Sequence, residues 1–245
     1  ILLVNLLLAG LPAEELHRLE RFLEPVELKL RQNLAEPEQA ISYVYFPIDA
    51  VGSVVQTMSS GSTVEIGLVG REGFVGIQAW LRQEISSVDI FVQVPGRALR
   101  MKRQTFLKEV LDSNSPLNLR IAGYVDAYLL MTGAISACNR MHHINERLCR
   151  WLKMVQNRVQ GDSFPMRQEF LSYMLGVHRP SISIAASALK TAGLIRYERG
   201  SLTVLDSEGL EAGCCECYDI IESKFEAVLG TPLREPSGEK LRLVK

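Results

Sequence analysis

The forty residues Met166–Leu205, MRQEFLSYMLGVHRPSISIAASALKTAGLIRYERGSLTVL, hold a complete local grammar. Phe170, Leu171, Met174 and Leu175 make the i, i+1, i+4, i+5 stripe of a short helix buried on one side. Gly176 ends it, because glycine enters the left-handed region without a Cβ penalty. A second helix is expected from about Arg179, with Pro180 in the first turn, where a missing N–H costs nothing. In it Ile182, Ala185, Ala186 and Leu189 share one face, and Pro180, Ser183, Ile184 and Ser187 share the other. Ala192-Gly193-Leu194 closes this helix. Two β-rich runs, Leu194–Tyr197 and Leu202–Leu205, then flank Glu198-Arg199-Gly200-Ser201 as a hairpin with a glycine turn. Two helices across a tight turn, followed by a hairpin, spell a winged helix-turn-helix.

The outer face of the second helix lacks the Glu and Lys pairs of a solvated surface. It is small, neutral and partly apolar, with Arg179 at its start, so it can lie close to another surface. The N-terminal residues of a recognition helix reach base edges in the major groove, where arginine pairs with guanine and an apolar side chain meets a thymine methyl. The run Leu175-Gly176-Val177-x-Arg179-x-Ser181-Ile182, with Leu189-x-x-Ala192-Gly193-Leu194-Ile195 and the wing, resembles the Crp/Fnr superfamily of bacterial transcription regulators. In that superfamily an Arg-Glu-Ser/Thr-Val-x-Arg run reads the operator. Here Arg179 and Ser181 match, while Pro180 replaces the usual Glu and Ile184 replaces the second Arg, so the usual operator is not carried over. The resemblance implies Arg179 for base readout, with His178, Ser181, Ser183 and Ile184 lining the groove and Gln168, Lys190 and Arg199 on the DNA backbone.

The 245 residues suffice for two modest domains, and 47% hydrophobic with 22% charged residues excludes disordered and fibrous classes. A net charge of −1 hides an asymmetry: Arg140–Leu205 holds ten Lys/Arg against four Asp/Glu. That bias suits phosphate binding, and equally a solvated face. Five cysteines, an odd number absent from the first half, fit no disulfide framework and point to a reducing cytoplasm. Ile1–Leu11 is apolar but too short to span a bilayer and lacks a basic flank, so neither a signal peptide nor membrane association is expected.

Earlier in the chain, a short helix is expected over Leu11–Leu23. Strands follow at Val26–Arg31, Ile41–Phe46, Val51–Met58, Thr63–Val69, Val88–Val94 and Arg97–Lys102. Short strands at even spacing argue a jelly roll or barrel, and the resemblance identifies it as a cyclic-nucleotide-binding-like sensor domain. Members that bind cyclic AMP use Gly-Glu-Leu-Gly and, further on, Arg-Ser-Ala. The corresponding stretch here is Gly73-Phe74-Val75-Gly76-Ile77-Gln78-Ala79, with Ile77 in the place of the Glu, and Ser86-Ser87-Val88 stands for Arg-Ser-Ala. A buried phosphate would lose its counter-charge, which costs several kcal/mol, so cyclic AMP is not expected as effector. Another small molecule and a purely structural roll both stay open. A cupin enzyme, the rival reading of a jelly roll, needs histidine ligands on the strands, and Val26–Lys102 has no His.

A short helix at Thr105–Asp112 precedes a long helical tract from about Leu117. In it Ile121, Val125, Tyr128, Leu129, Thr132 and Ile135 keep a near-heptad stripe, the superfamily's dimerisation helix, with a break near His142-His143-Ile144-Asn145 as the hinge. The other reading of that stripe is burial against the chain's own roll. A helix over Ile144–Val159 leads on to the winged helix, and a last helix is expected over Ser207–Leu229. Cys138, His142, His143 and Cys149 match no known zinc spacing and read as packing. Cys214, Cys215 and Cys217 are too crowded to bind one ion together from a regular helix, so no metal or cofactor is expected, though a redox response is open.

The expected fold class is therefore α+β: an N-terminal jelly-roll sensor domain (1–112), a long central dimerisation helix and hinge (113–143), a C-terminal winged helix-turn-helix (144–230) and a loose tail (231–245). The expected partners are double-stranded DNA, a second copy of the chain and RNA polymerase. An interaction adaptor whose winged helix no longer reads DNA is the alternative.

Overall fold

The computed structural model describes residues 4–113, 115–159 and 161–234; residues 235–245, most of the expected tail, lie outside the described residues. Helix α1 (Leu6–Ala9) and α2 (Ala13–Glu20) lead in. The expected Leu11–Leu23 helix is thus shorter, and α1 was not foreseen. Four residues are too few to show a period, but Asn5 caps them and bonds the backbone carbonyls of Pro47 and Gly73.

Strands β1 (Glu24–Leu28), β2 (Asn33–Ala35), β3 (Tyr43–Pro47), β4 (Val51–Thr57), β5 (Thr63–Val69), β6 (Asp89–Val94) and β7 (Gly96–Lys102) form two antiparallel sheets, ordered β1-β7-β3 and β2-β6-β4-β5. Burial alternates along β3 and runs continuously through Val51–Val55 of β4, where the register shifts between Val54 and Val55. Val44, Phe46, Leu99 and Met101 from one sheet and Val54, Val55, Leu68 and Ile90 from the other belong to the same core. The stretch Gly73–Ala79 is a packing element. Phe74 lies 5.8 Å, 5.9 Å and 5.7 Å, ring centre to ring centre, from Phe46, Phe106 and Tyr124. The short helix α3 (Ile77–Trp80) follows, its Trp80 indole donating to Asn118 at 2.7 Å.

Helix α4 (Arg103–Phe106) continues as a π-helical turn over Leu107–Asp112, and α5 (Pro116–Met141) starts behind the Ser115 cap. The helix breaks at His142–His143, the C-cap of α5 and the N-cap of the next helix. The expected dimer stripe needs correction. Ile121, Tyr128 and Ile135 are buried in the chain's own core, together with Tyr124, Ala127 and Met131, while Val125 and Thr132 are half-buried. Of the six, Leu129 alone is exposed, at 64%. The exposed face runs Leu119, Ala122, Asp126, Leu129, Gly133 and Ser136, with alternating steps of three and four. Because α5 is apolar nearly all round, the heptad period could not say which of two apolar faces points inward. One face sits in the core, so its length and apolar character do not call for a bilayer.

Helix α6 (Ile144–Arg158) is the interior pillar: every residue from Arg147 to Arg158 is buried. Four of the ten basic residues counted in Arg140–Leu205 are therefore internal, namely Arg147, Arg150, Lys153 and Arg158, and the charge excess overstates the outward basic surface. Arg158 Nε meets Glu72 Oε1 at 2.8 Å and its Nη1 meets Glu222 Oε1 at 3.5 Å. This triad joins the roll, α6 and the C-terminal helix.

The third sheet, β8-β10-β9, comprises β8 (Ser163–Pro165), β9 (Ile195–Glu198) and β10 (Ser201–Val204). The wing strands each sit one residue from the expected bounds, which leaves a two-residue turn, Arg199-Gly200, with φ of +49° and +81°. Both residues are left-handed, as the twist of a tight hairpin demands. The expected single helix Ser207–Leu229 is two, α9 (Ser207–Ala212) and α10 (Cys217–Leu229). Gly213 breaks it: a Cβ there would meet Cys149 Sγ at 3.0 Å, and the chain turns through residues 213–216 before resuming.

Candidate nucleic-acid interface

Helix α7 (Gln168–Met174) and helix α8 (Arg179–Thr191) are joined at Gly176, whose φ of +61° lets the chain reverse. Leu171 and Met174 on α7 pack with Ile182, Ala185, Ala186 and Leu189 on α8, as their spacing requires. His178 is the N-cap, its carbonyl accepting from Ser181 N–H at 3.0 Å, and Pro180 occupies the first turn. Burial of the inner stripe leaves the opposite face to solvent. Ile184 is 72% exposed and lines an open concavity with Ser183, Ser187, Ala188, Thr191 and Ala192.

His178, Arg179, Ile184, Lys190 and Arg199 are exposed, and Ser181, Ser183 and Gln168 are half-buried. Ser183 Oγ donates to Gln168 Oε1 at 3.0 Å, so Gln168 orients the helix pair and keeps its amide N–H groups for other partners. Lys190 lies eleven residues beyond Arg179, about 16 Å along the axis. The two mark opposite ends of the exposed face. The wing is stitched beneath this unit by Met166 N–H donating to Gly200 O at 2.7 Å and by Tyr197 Oη donating to Met166 O. Burial pushes the Tyr197 hydroxyl up to about 12, so it remains a donor. Arg167, exposed and flanking the same cleft as Arg199 and Gly200, was missed from sequence. The signal was its place just before Gln168, as the N-cap of α7.

Three features hold this unit in place, two of them from the roll and one, Arg147, from α6. Phe170 and Phe91 meet edge to face at 5.9 Å, Arg147 Nη2 donates to Leu175 O, and Val64 of β5 faces the Gly176 turn. A groove lined by Met58, Thr63, Val64, Tyr173 and His178 runs between the β4–β5 hairpin and the start of α8.

In the roll, Ser86 is engaged in its own turn, donating to Val88 O at 2.9 Å, and Ile77 belongs to α3. The buried guanidinium beside Glu72 is that of Arg158, already paired with two carboxylates. A separate buried polar network joins the roll to α6. Glu65 accepts from Trp151 Nε1 at 2.7 Å and contacts Ser53 Oγ at 2.6 Å, and Ser53 in turn touches Gln93 Oε1. Burial raises the Glu65 carboxyl to about 7 against the opposing pull of Ser53 and Trp151.

Residues 146–212 match the Crp-like helix-turn-helix domain family. No curated protein sequence matches the chain. Among solved structures, similar ones include a transcriptional regulator of the CRP family from Thermus thermophilus, at 15% identity and TM-score 0.63 over 77% of this chain and 95% of that one. The c-di-GMP-responsive global regulator CLP of Xanthomonas campestris aligns at 14% and 0.59 over 79% and 99%. FixK2 of Bradyrhizobium japonicum aligns at 12% and 0.59 over 79% and 98%. Residues 146–212 are therefore a Crp-like helix-turn-helix domain, carried on a chain with the α+β fold of CRP/FNR-family transcription regulators.

Proposed function

We propose that this chain is a sequence-specific DNA-binding transcription regulator that engages a palindromic operator as a homodimer in the cytoplasm. The observation that carries the reading is the exposed, uncommitted face of α8, led by Arg179 and centred on Ile184, in a helix about 20 Å long that suits the major groove. Arg179 reads a base edge; His178, Ser181, Ser183 and Ile184 line the groove; Gln168, Lys190, Arg199 and Arg167 meet phosphates. RNA polymerase is the further partner this role calls for. Pairing of two copies uses the exposed α5 face through Leu119 and Leu129, since a palindrome needs two recognition helices. Ile77 and Ser86 stand where a cyclic-nucleotide phosphate and ribose would be held, and neither brings a charge, so calorimetry is expected to show no submicromolar binding of cyclic AMP or cyclic GMP.

Selection of genomic fragments by the purified full chain tests this. One palindrome is expected to be enriched, and Arg179→Ala is expected to weaken it by roughly 1–3 kcal/mol while leaving non-specific binding nearly intact. An unchanged operator preference in that variant would remove Arg179 from readout. The neutral Ile184 face also suits an interaction adaptor, and salt separates the two readings. A DNA reader loses affinity steeply as counterions compete, and an adaptor enriches no DNA.

A further inference from the structure

Four side chains that are far apart in sequence converge where α5 ends and α10 begins. Cys138 lies in the last turn of α5 and His142 is its C-cap, while Cys215 and Cys217 stand on either side of the turn into α10. Cys138, Cys215 and Cys217 form a buried cluster of their own, apart from the main core. Cys138 Sγ is 3.4 Å from Cys215 Sγ, and Cys217 Sγ is 3.7 Å from His142 Nδ1. All four donor atoms lie within 4.8 Å of one another.

We propose that Cys138, His142, Cys215 and Cys217 form a binding site for a thiophilic divalent cation of the zinc class. The dimensions fit. With metal–sulfur bonds of about 2.3 Å and metal–nitrogen bonds of about 2.0–2.1 Å, a tetrahedral site has sulfur–sulfur edges of about 3.8 Å and sulfur–nitrogen edges of about 3.6 Å. The two observed distances come close to these values. The donor set, three thiolates and one imidazole, is a standard closed structural set for zinc.

Two surrounding features point the same way. His142 turns Nδ1 toward the sulfurs, while its Nε2 lies 3.1 Å from Glu216 Oε2. A carboxylate on the far ring nitrogen is the partner that orients a metal-bound histidine and fixes its tautomer. Arg150, 1% exposed, lies within hydrogen-bonding reach of Cys138, and its Nε has no partner among the described residues. Three thiolates and an imidazole around a divalent ion carry a net charge of −1, and a buried guanidinium beside them offsets it. Cys149 and His143 do not take part, and Cys214 bonds Leu210 O instead. The spacings Cys-x3-His and Cys-x-Cys are each too short to suggest a site alone, and Cys138 and Cys215 lie 77 residues apart.

The ion would close the loop that contains α6, the helix-turn-helix and the wing. Both ends of the DNA-binding unit would then be fastened at one point beside the hinge, so metal occupancy would stiffen the mounting of α8.

The test is titration of the reduced, metal-stripped full chain with Co2+, followed by displacement with Zn2+. Saturation at one equivalent is expected, with thiolate-to-cobalt charge transfer and the strong visible bands of a tetrahedral site, bleached by zinc. Zinc is also expected to raise Tm. Cys217→Ser and His142→Gln should each lose the tetrahedral spectrum, Glu216→Gln should weaken cobalt binding about tenfold, and Cys214→Ser should leave the spectrum unchanged. If Cys217→Ser does not fold, the comparison of His142→Gln with Cys214→Ser decides. Absence of a thiolate–cobalt band in folded wild-type protein would overturn the proposal. So would a spectrum lost in Cys214→Ser but kept in His142→Gln, or a Cys138–Cys215 disulfide with no cobalt uptake after its reduction.

Discussion

Glu65 is a carboxyl group that the fold prefers neutral. When it is protonated, its O–H donates to Ser53 Oγ, the Ser53 hydroxyl donates to Gln93 Oε1, and Trp151 Nε1 donates to the remaining Glu65 oxygen. Arg150 and Arg158 favour the charged form but do not outweigh burial. With the folded value near 7 and the unfolded value near 4.5, the folded state holds the extra proton between those limits. Stability therefore falls as pH rises from 4.5 to about 7 and levels off above, by roughly 3 kcal/mol from this group alone. Glu65→Gln, which mimics the protonated acid, should flatten that part of the profile and raise Tm at about pH 8, above the folded value. Denaturation of both proteins across this pH range checks it, and an unchanged slope would show that Glu65 titrates normally. Nothing in the sequence around Glu65 marks it, since TVEIGLV reads as any half-buried strand. Its partners come from β4 and α6, with β6 behind them.

At the scale of elements, the short-range signals were the dependable ones. Gly176, Pro180, the Ile182–Leu189 stripe and the wing glycine each act within a few residues, and they placed α7, α8 and the wing to within a residue or two. Helix α5 was legible as a helix but not in its rotation. Both its faces are apolar, and only the roll on one side decides between them. The three-residue strands β2 and β8 are too short for a period, and the close approach of Cys149 to Gly213 at the helix break comes from far along the chain. The two α5 faces give opposite outcomes. Leu129→Glu should shift the chain from dimer to monomer in sedimentation without lowering Tm. Ile121→Ala should cost roughly 2–5 kcal/mol of stability and leave self-association unaltered in the folded fraction. A monomer from Ile121→Ala and none from Leu129→Glu would return the seam to the face that the heptad reading chose.

Across the whole molecule, the Glu72–Arg158–Glu222 triad couples the roll to the C-terminal half through buried charge. Removing its cation strands two buried carboxylates. Arg158→Ala should therefore destabilise the chain by about 3–5 kcal/mol in urea unfolding, whereas replacing all three by apolar residues of similar size should recover most of that. A small effect of Arg158→Ala would mean that water reaches the site. The overall assembly was only partly legible. The order roll, long helix, winged helix followed from the chain, but the place of α6 as the interior pillar did not, because Arg147, Lys153 and Arg158 meet partners that lie far along the chain.

The triad also bears on how the chain is made. A ribosome delivers Glu72 first, Arg158 comes 86 residues later, and Glu222 follows 64 residues after that. The nascent roll therefore emerges with an acid committed to its interior before Arg158, its partner in the finished fold, has been made. It closes fully only when α6 has cleared the exit tunnel, and the arginine then waits for α10 to neutralise its second side. A fragment ending at residue 112 should accordingly be digested readily by protease, and the intact chain should resist.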